Sequence, residues 1–568
     1  MVKVEKIIEY GLYLLVFLLP IQTRWIIRQG GSEYGTLSLY GTDVLLISLL
    51  VIFLILRFKT FKLNKTSPRP SPYKGEGGGL WWLMIGLNLV SLFSIFFAQD
   101  KLVAGQAYLR LTMGMGLFWL VARPVGSDSK LSFWGSRNLV SVSGPLVDRL
   151  KLIHAFLAGV FLQASLGIWQ FLTQTTFSSK WLGLASHNAG DLGTSVVETL
   201  DGGRWLRAYG GLDHPNVLGG LLVIAIIFSI YQIQHSDDCK TGNNESGIMN
   251  YENTNFFKFI IHCSLFMILL AALFFTFSRG AWAGLIVGLV VMLGGMIFDH
   301  RYRSHPDPLP SAYSGQALGK ERGEEPHPDP LLARRGGSLV GCLLKIICVG
   351  AVFVSILFFS YKDLVLTRLS QDTRLETKSN TERIASLRDA TVIIKNNWLT
   401  GVGVGNYTMA LANEEKLLPP PRPAGTPPRA AADAGQAGGE KRPSWFYQPA
   451  HNTFLLVWAE MGIVGLILFV AILIILIRSC YVLCIMCYEN SNILNVNEGV
   501  IKLSLLLCLI ILMLPDHYFW SLHFGILLFW FVIGLATRDM GVNTPHPDFK
   551  SGHPSQEGNE NSLELPPS

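Results

Sequence analysis

The sequence predicts an all-α integral membrane protein of about twelve spanning helices with one large external loop. Three observations carry that reading. Half of the 568 residues are hydrophobic and only 15% are charged, with a mean hydropathy of +0.37, a combination no ordinary soluble domain of this length sustains. The apolar residues gather into runs of roughly 17 to 25, the length at which a helix crosses about 30 Å of hydrocarbon. Those runs are continuous rather than alternating, so they are not the strands of a barrel.

The first run, Tyr10 to Leu19, follows Lys3 and Lys6 as a signal peptide would. No small-residue cleavage site comes after it; Pro20, Gln22, Arg24 and Trp25 do, so it is expected to stay as the first span. Apolar windows then place spans at 8–24, 43–57, 80–98, 104–122, 150–172, 215–232, 256–277, 280–298, 339–360, 452–477, 499–514 and 522–537. Basic residues follow spans two (Arg57, Lys59, Lys62, Lys65), four (Arg123, Lys130, Arg137, Arg149) and eight (Arg301, Arg303, Arg334, Arg335). By the positive-inside rule those loops and both termini are cytoplasmic. The net charge of +6 therefore reports topology, and no nucleic-acid partner is implied.

This divides the chain into spans one to nine (1–360, with inner-loop insertions at 58–79 and 299–338), a large external segment (361–451), spans ten to twelve (452–537) and a cytoplasmic tail (538–568). Long loops translocate largely regardless of charge, which permits the basic segment 361–451 to lie outside. The stretches 66–79, 299–338, 417–444 and the tail from Gly541 are rich in Pro, Gly and charge and are expected to be disordered linkers. A repeat, His305-Pro306-Asp307-Pro308 and His327-Pro328-Asp329-Pro330, lies in one of them and reads as low-complexity insertion rather than metal site. Cys480, Cys484 and Cys487 lack a fourth ligand and read as reduced thiols.

Three cationic residues stand at helix mouths on the predicted outer side. Arg207 precedes the Gly210-Gly211 turn, Pro215 and Asn216, where a helix start leaves amides available to an anion. Arg279 sits in Ser278-Arg279-Gly280, nearly the whole turn between two apolar helices. It has little freedom to retreat to water and is expected to point into a cavity between helices. His451 and Asn452 open span ten, and a near-neutral imidazole there can take a proton from a hydroxyl. Arg110, inside span four near its outer end, is a supporting cation that could equally snorkel outward.

Residues 381–407 read as an amphipathic helix followed by a glycine turn, Gly401-Val402-Gly403-Val404-Gly405. The turn has neither the Lys-Ser/Thr of a P-loop nor a preceding strand, so a nucleotide site is not expected. No outward acidic pair implies a metal, and no cofactor is predicted.

RAYGGLDHPNVLGG, the FSRGAWAGL turn, NNWLTGVGVGNY and HNTFLLVWAEMGIVGLILF, in that order, resemble the O-antigen ligase and polymerase superfamily over most of 80–537. The resemblance implies a polytopic bundle of the membrane glycosyltransferase type in a bacterial inner membrane, with the site facing the periplasm. It implies a metal-independent, inverting transfer of glycan from an undecaprenyl-pyrophosphate carrier to an acceptor sugar such as lipid A-core. By motif, Arg207 and Arg279 would engage the donor pyrophosphate and His451 would assist the acceptor hydroxyl, with Arg110, Asn216 and Asn452 as further substrate contacts.

Two alternatives stand beside the ligase. A polymerase of the same superfamily would use a second lipid-linked glycan as acceptor, and protein Ser or Thr is a third acceptor. A flippase for the same lipid would commonly show internal repeats and midplane charges, and the polar landmarks here crowd one interface instead.

Overall fold

A computed structural model describes residues 2–63, 77–122, 148–191, 193–199, 201–238, 250–304, 330–370, 374–417, 447–489 and 493–537. The insertion cores, the His-Pro-Asp-Pro repeats, the 418–446 part of the external segment and the tail lie outside the described residues.

The chain begins with α1 (Val2–Leu18), the hairpin β1 (Arg24–Arg28) and β2 (Leu37–Tyr40), α2 (Gly41–Leu63), α3 (Gly77–Ser94), α4 (Lys101–Val121) and α5 (Arg149–Thr173). A short hairpin, β3 (Val196–Glu198) and β4 (Arg204–Leu206), precedes α6 (Pro215–Asp238), α7 (Asn250–Phe275), α8 (Arg279–Ser304) and α9 (Pro330–Ser360). The segment between α9 and α13 supplies α10 (Lys362–Ser370), α11 (Arg374–Asn397) and α12 (Tyr407–Leu417). The chain then returns through α13 (Thr453–Glu489), α14 (Ile493–Met513), the single turn α15 (Tyr518–Ser521) and α16 (His523–Thr537).

Every one of the twelve apolar windows holds a helix. Among the described residues seven helices are long and apolar enough to cross a membrane by themselves, and Gly41–Leu56 and His523–Thr537 are shorter apolar helices. The first window is the one that ends differently: α1 stops at Leu18, and Arg24–Arg28 form a strand rather than the end of a helix. Pro20 has no N–H to give an α-helical ladder and pushes Leu19 out of the helical region. Elsewhere the boundaries follow local chemistry. Asp100 caps α4 by accepting from the Leu102 amide at 2.9 Å, Asp148 caps α5 through the Leu150 amide at 2.9 Å, and Pro215 occupies the first position of α6.

α6 is the centre of the bundle: 94% of its apolar window is buried, against 17% for that of α9. It packs on α5, α7, α8 and α14. At one end of the bundle Arg149 ties α5 to α14 and α6, donating to Glu498 Oε2 at 2.8 Å and to the Tyr231 hydroxyl at 2.9 Å.

The α10–α12 segment is fastened to the opposite end by backbone. α13 contains a non-helical residue, Gly462, at φ 69°, and the break frees the Ala459 and Glu460 carbonyls to accept from the Val402 and Gly403 amides, both at 2.9 Å. Ile463 N donates in turn to Trp398 O at 2.9 Å. A Cβ on Gly462 would stand 1.9 Å from Leu399 O, so only glycine fits both the left-handed conformation and the contact. Asn406 completes the attachment, accepting from the Asp100 amide at 2.8 Å and donating to the Asp100 carbonyl at 3.2 Å.

Candidate functional site

The start of α6, the α7–α8 turn, the start of α13 and the α14–α15 loop meet at one end of the bundle. Arg207 follows β4 and is nearly enclosed, 3% exposed. Its Nε donates to Thr276 O at 2.6 Å, Nη1 to Ser195 Oγ at 2.6 Å and Nη2 to Asn216 Oδ1 at 3.0 Å. The guanidinium therefore locks the end of α7 to the start of α6. Asn216 passes the connection on, donating from Nδ2 to Asp516 Oδ2 at 3.2 Å. The Gly210-Gly211 turn is seated on two buried glutamines of α5: Gln170 Oε1 accepts from the Gly210 amide at 2.8 Å, and Gln163 Oε1 from that of Gly211.

The α7–α8 turn is Thr276 to Ser278, and Arg279 is the first residue of α8. Phe277 in that turn adopts φ 47°, a conformation side chains rarely take. Its carbonyl accepts from Arg368 Nε at 3.2 Å, so α10 braces the turn. Arg279 Nη2 donates to Asn380 Oδ1 of α11 at 3.3 Å. Arg279, Arg368, Arg383, Asn216, Asp516 and Tyr518 line one solvent-open cavity of about 340 Å³. Among the described residues, three guanidiniums face one carboxylate across it, an excess of fixed positive charge suited to a polyanion.

His451 lies beside this cavity. Its amide donates to Ser386 Oγ at 2.9 Å, its ring centroid is 5.4 Å from that of His517, and its buried Nδ1 has no hydrogen-bond partner among the described residues. Asp516 is held by the His517 amide on Oδ1 at 2.9 Å, while its carbonyl accepts from Thr453 Oγ1 at 2.9 Å. The ligating atoms of His451, Asp516 and His517 all fall within 4.8 Å of one another, close enough to hold a cation.

Burial disfavours charge on both imidazoles: it pushes His451 below its ordinary value and His517 down to about 4. Burial alone would raise Asp516, but the neighbouring imidazoles of His517, His451 and His214 and the His517 amide hold its carboxyl below the usual range. At neutral pH the cluster is thus two neutral imidazoles beside a carboxylate, an arrangement that can accept a proton.

The structure brings Arg207, Arg279, His451 and Asn216 together, with Asn452 next to His451, and places Arg110 elsewhere. Asn452 caps α13, with Oδ1 accepting from the Leu455 amide at 2.9 Å and Nδ2 donating to Leu514 O at 3.0 Å. Arg110 faces a second cavity, its guanidinium 5.4 Å from the centre of the Tyr40 ring. Sequence reasoning misses Asp516, His517, Arg368 and Arg383. The signal for Asp516 and His517 was present, since Pro515-Asp516-His517 falls between two apolar windows on the same side as His451. Arg383 reads as a surface charge of an amphipathic helix, and nothing local marks Arg368.

Fold and site together define a polytopic helical membrane protein with a cationic cavity, a carboxylate and paired imidazoles at one end of its bundle. Residues 264–470 match the family described as O-Antigen ligase, a stretch that includes Arg279, Arg368, Arg383 and His451. Members of that family are glycosyltransferase-like ligases and polymerases. Arg207, Asn216, Asp516 and His517 lie outside the matched stretch. No curated protein matches the chain.

Proposed function

We propose that the protein transfers a glycan from an undecaprenyl-pyrophosphate carrier to a sugar hydroxyl of an acceptor such as lipid A-core, at the periplasmic face of a bacterial inner membrane, with both termini cytoplasmic. The observation that carries this reading is the cavity in which Arg279, Arg368 and Arg383 converge beside His451, whose Nδ1 is unpartnered among the described residues. The pyrophosphate occupies the arginine cavity. His451 accepts the proton of the attacking hydroxyl as its oxygen bonds to the anomeric carbon, and the bond from that carbon to the pyrophosphate oxygen breaks in the same displacement, inverting the centre. The electron pair leaves with undecaprenyl pyrophosphate, whose growing charge the guanidiniums stabilise without a metal. Arg207 acts through Asn216, fixing Asp516 beside the imidazoles and adding its charge from behind the cavity.

The test is transfer by the purified full chain in nanodiscs, given donor lipid with and without lipid A-core. A product that appears only with lipid A-core, together with released undecaprenyl pyrophosphate, is the expected result. Lengthened lipid-linked chains from donor alone would make it a polymerase, and donor left intact under all conditions would sink the transferase reading.

A further inference from the structure

A second cavity, of about 790 Å³ including its opening, lies among the β1–β2 hairpin, α4, α12, α13 and α15. Its chemistry differs from that of the arginine cavity. Arg24 and Arg110 are accompanied by the acidic side chains of Glu33 and Glu460, and the aromatic rings of Tyr34, Tyr40, Tyr407 and Trp520 supply flat walls. Acidic and guanidinium groups together offer acceptors and donors to a ligand rich in hydroxyls, and ring faces suit the C–H faces of a sugar.

The lining is preorganised and incompletely satisfied. Glu460, 4% exposed, accepts from Trp520 Nε1 at 2.9 Å and from the amides of Gly405 and Tyr407. The kink at Gly462 and the docked glycine turn therefore aim this carboxylate. Tyr407 is 1% exposed, yet among the described residues its hydroxyl has no hydrogen-bond partner, and neither has the buried Nε of Arg110. His523, on the same lining, also has an Nδ1 unpartnered among the described residues; buried polar atoms are nearly always paired, so these orphans mark places where a ligand's own groups would bond.

The wall between the two cavities is the imidazole cluster. Ser521, on the second cavity, has its Oγ 2.6 Å from His517 Nδ1. Tyr34, on the same side, packs its ring edgewise on His517 with centroids 5.8 Å apart. His517 adjoins His451 and Asp516, and Asp516 lines the arginine cavity.

We propose that this second cavity binds the carbohydrate end of the acceptor, with Tyr407 and Arg110 bonding its hydroxyls and the reacting hydroxyl presented to His451 past His517. The assignment rests on the transferase reading given above, and it adds a separate site for the second substrate.

Calorimetry on the full chain in nanodiscs tests it with two probes: sugar-free undecaprenyl pyrophosphate, and the free oligosaccharide released from the host cell's own surface glycolipid. Tyr407→Phe and Arg110→Gln are expected to weaken oligosaccharide binding at least tenfold and to leave the pyrophosphate lipid within twofold, while Arg279→Gln does the reverse. Tyr407→Phe removes one oxygen and no bonded partner, so its folding is secure. Oligosaccharide binding unchanged in both cavity variants overturns the proposal, as does loss of the pyrophosphate lipid from those same variants. If Arg279→Gln binds the pyrophosphate lipid normally, the donor reading fails; loss of the oligosaccharide in Tyr407→Phe would still support the second site.

Discussion

Asn216 bridges Arg207 and Asp516: its carbonyl oxygen accepts from Arg207 Nη2 at 3.0 Å, and its amide nitrogen donates to Asp516 Oδ2 at 3.2 Å. A side-chain amide carries both an acceptor for the guanidinium and a donor for the carboxylate. The bridge links an arginine on one side of α6 with a carboxylate 300 residues further along the chain from Asn216.

Asn216→Ala should leave both partners short of a bond, and loss of a charge-assisted bond costs about 1.5–3 kcal/mol, or roughly ten- to a hundredfold in rate. Asn216→Asp should be worse, because it sets a second carboxylate against Asp516. Initial rates with labelled donor check this, and an Asn216→Asp enzyme as active as wild type would exclude the bridge from the mechanism.

Arg279→Ala is expected to raise the donor KM or lower kcat by about ten- to a hundredfold through loss of a charge-assisted contact. Arg279→Lys should recover part of it, since lysine restores the charge without the planar fork. Normal kinetics in the alanine variant would remove Arg279 from the donor site.

The pH dependence follows from the imidazoles. With its value pushed below the ordinary one by burial, His451 is neutral at pH 7 and able to accept a proton. Activity should therefore be level near neutrality and fall as acid protonates the imidazole. A pH–rate profile of kcat for wild type and His451→Gln, in which the variant loses both the activity and the acid limb, is the expected result.

Stability has its own acid dependence. His517 titrates near 4 in the fold against about 6.5 unfolded. Above pH 6.5 both states are neutral and the group contributes nothing; as pH falls from about 6.5 toward 4 only the unfolded state takes up the proton, so stability drops, by about 3 kcal/mol at most. Unfolding midpoints measured from pH 7 to 4 should decline less in His517→Asn than in wild type.

Chelation distinguishes proton transfer from metal chemistry at His451, Asp516 and His517, whose atoms lie within 4.8 Å. Transfer is expected to be unaffected by EDTA. Activity lost on chelation and restored by a divalent ion would assign the cluster to a metal and end the metal-free mechanism.

Gly462→Ala should destabilise the attachment of the external segment, since its Cβ would meet Leu399 O at 1.9 Å at a left-handed backbone position. Limited proteolysis should then cut near the Gly401–Gly405 turn faster than in wild type. Equal protection in the two proteins would show that the contact carries no weight.

The sequence by itself determined the membrane class, the helix at every apolar window and the grouping of Arg207, Arg279 and His451 on one side. Those follow from run length, a helix's need to satisfy its own backbone in lipid, and alternation across a bilayer, all of which are local or additive along the chain. It was silent on what each residue touches. Arg207 and Asn216 are nine positions apart, but Asp516 joins them only because α6 and α14 pack together. Arg110 and Glu460, 350 positions apart, line one cavity only because the Gly462 kink docks the external turn at that place. Contacts between distant elements are decided by helix packing and by where backbone bonds are broken and remade, and only the tertiary structure fixes those.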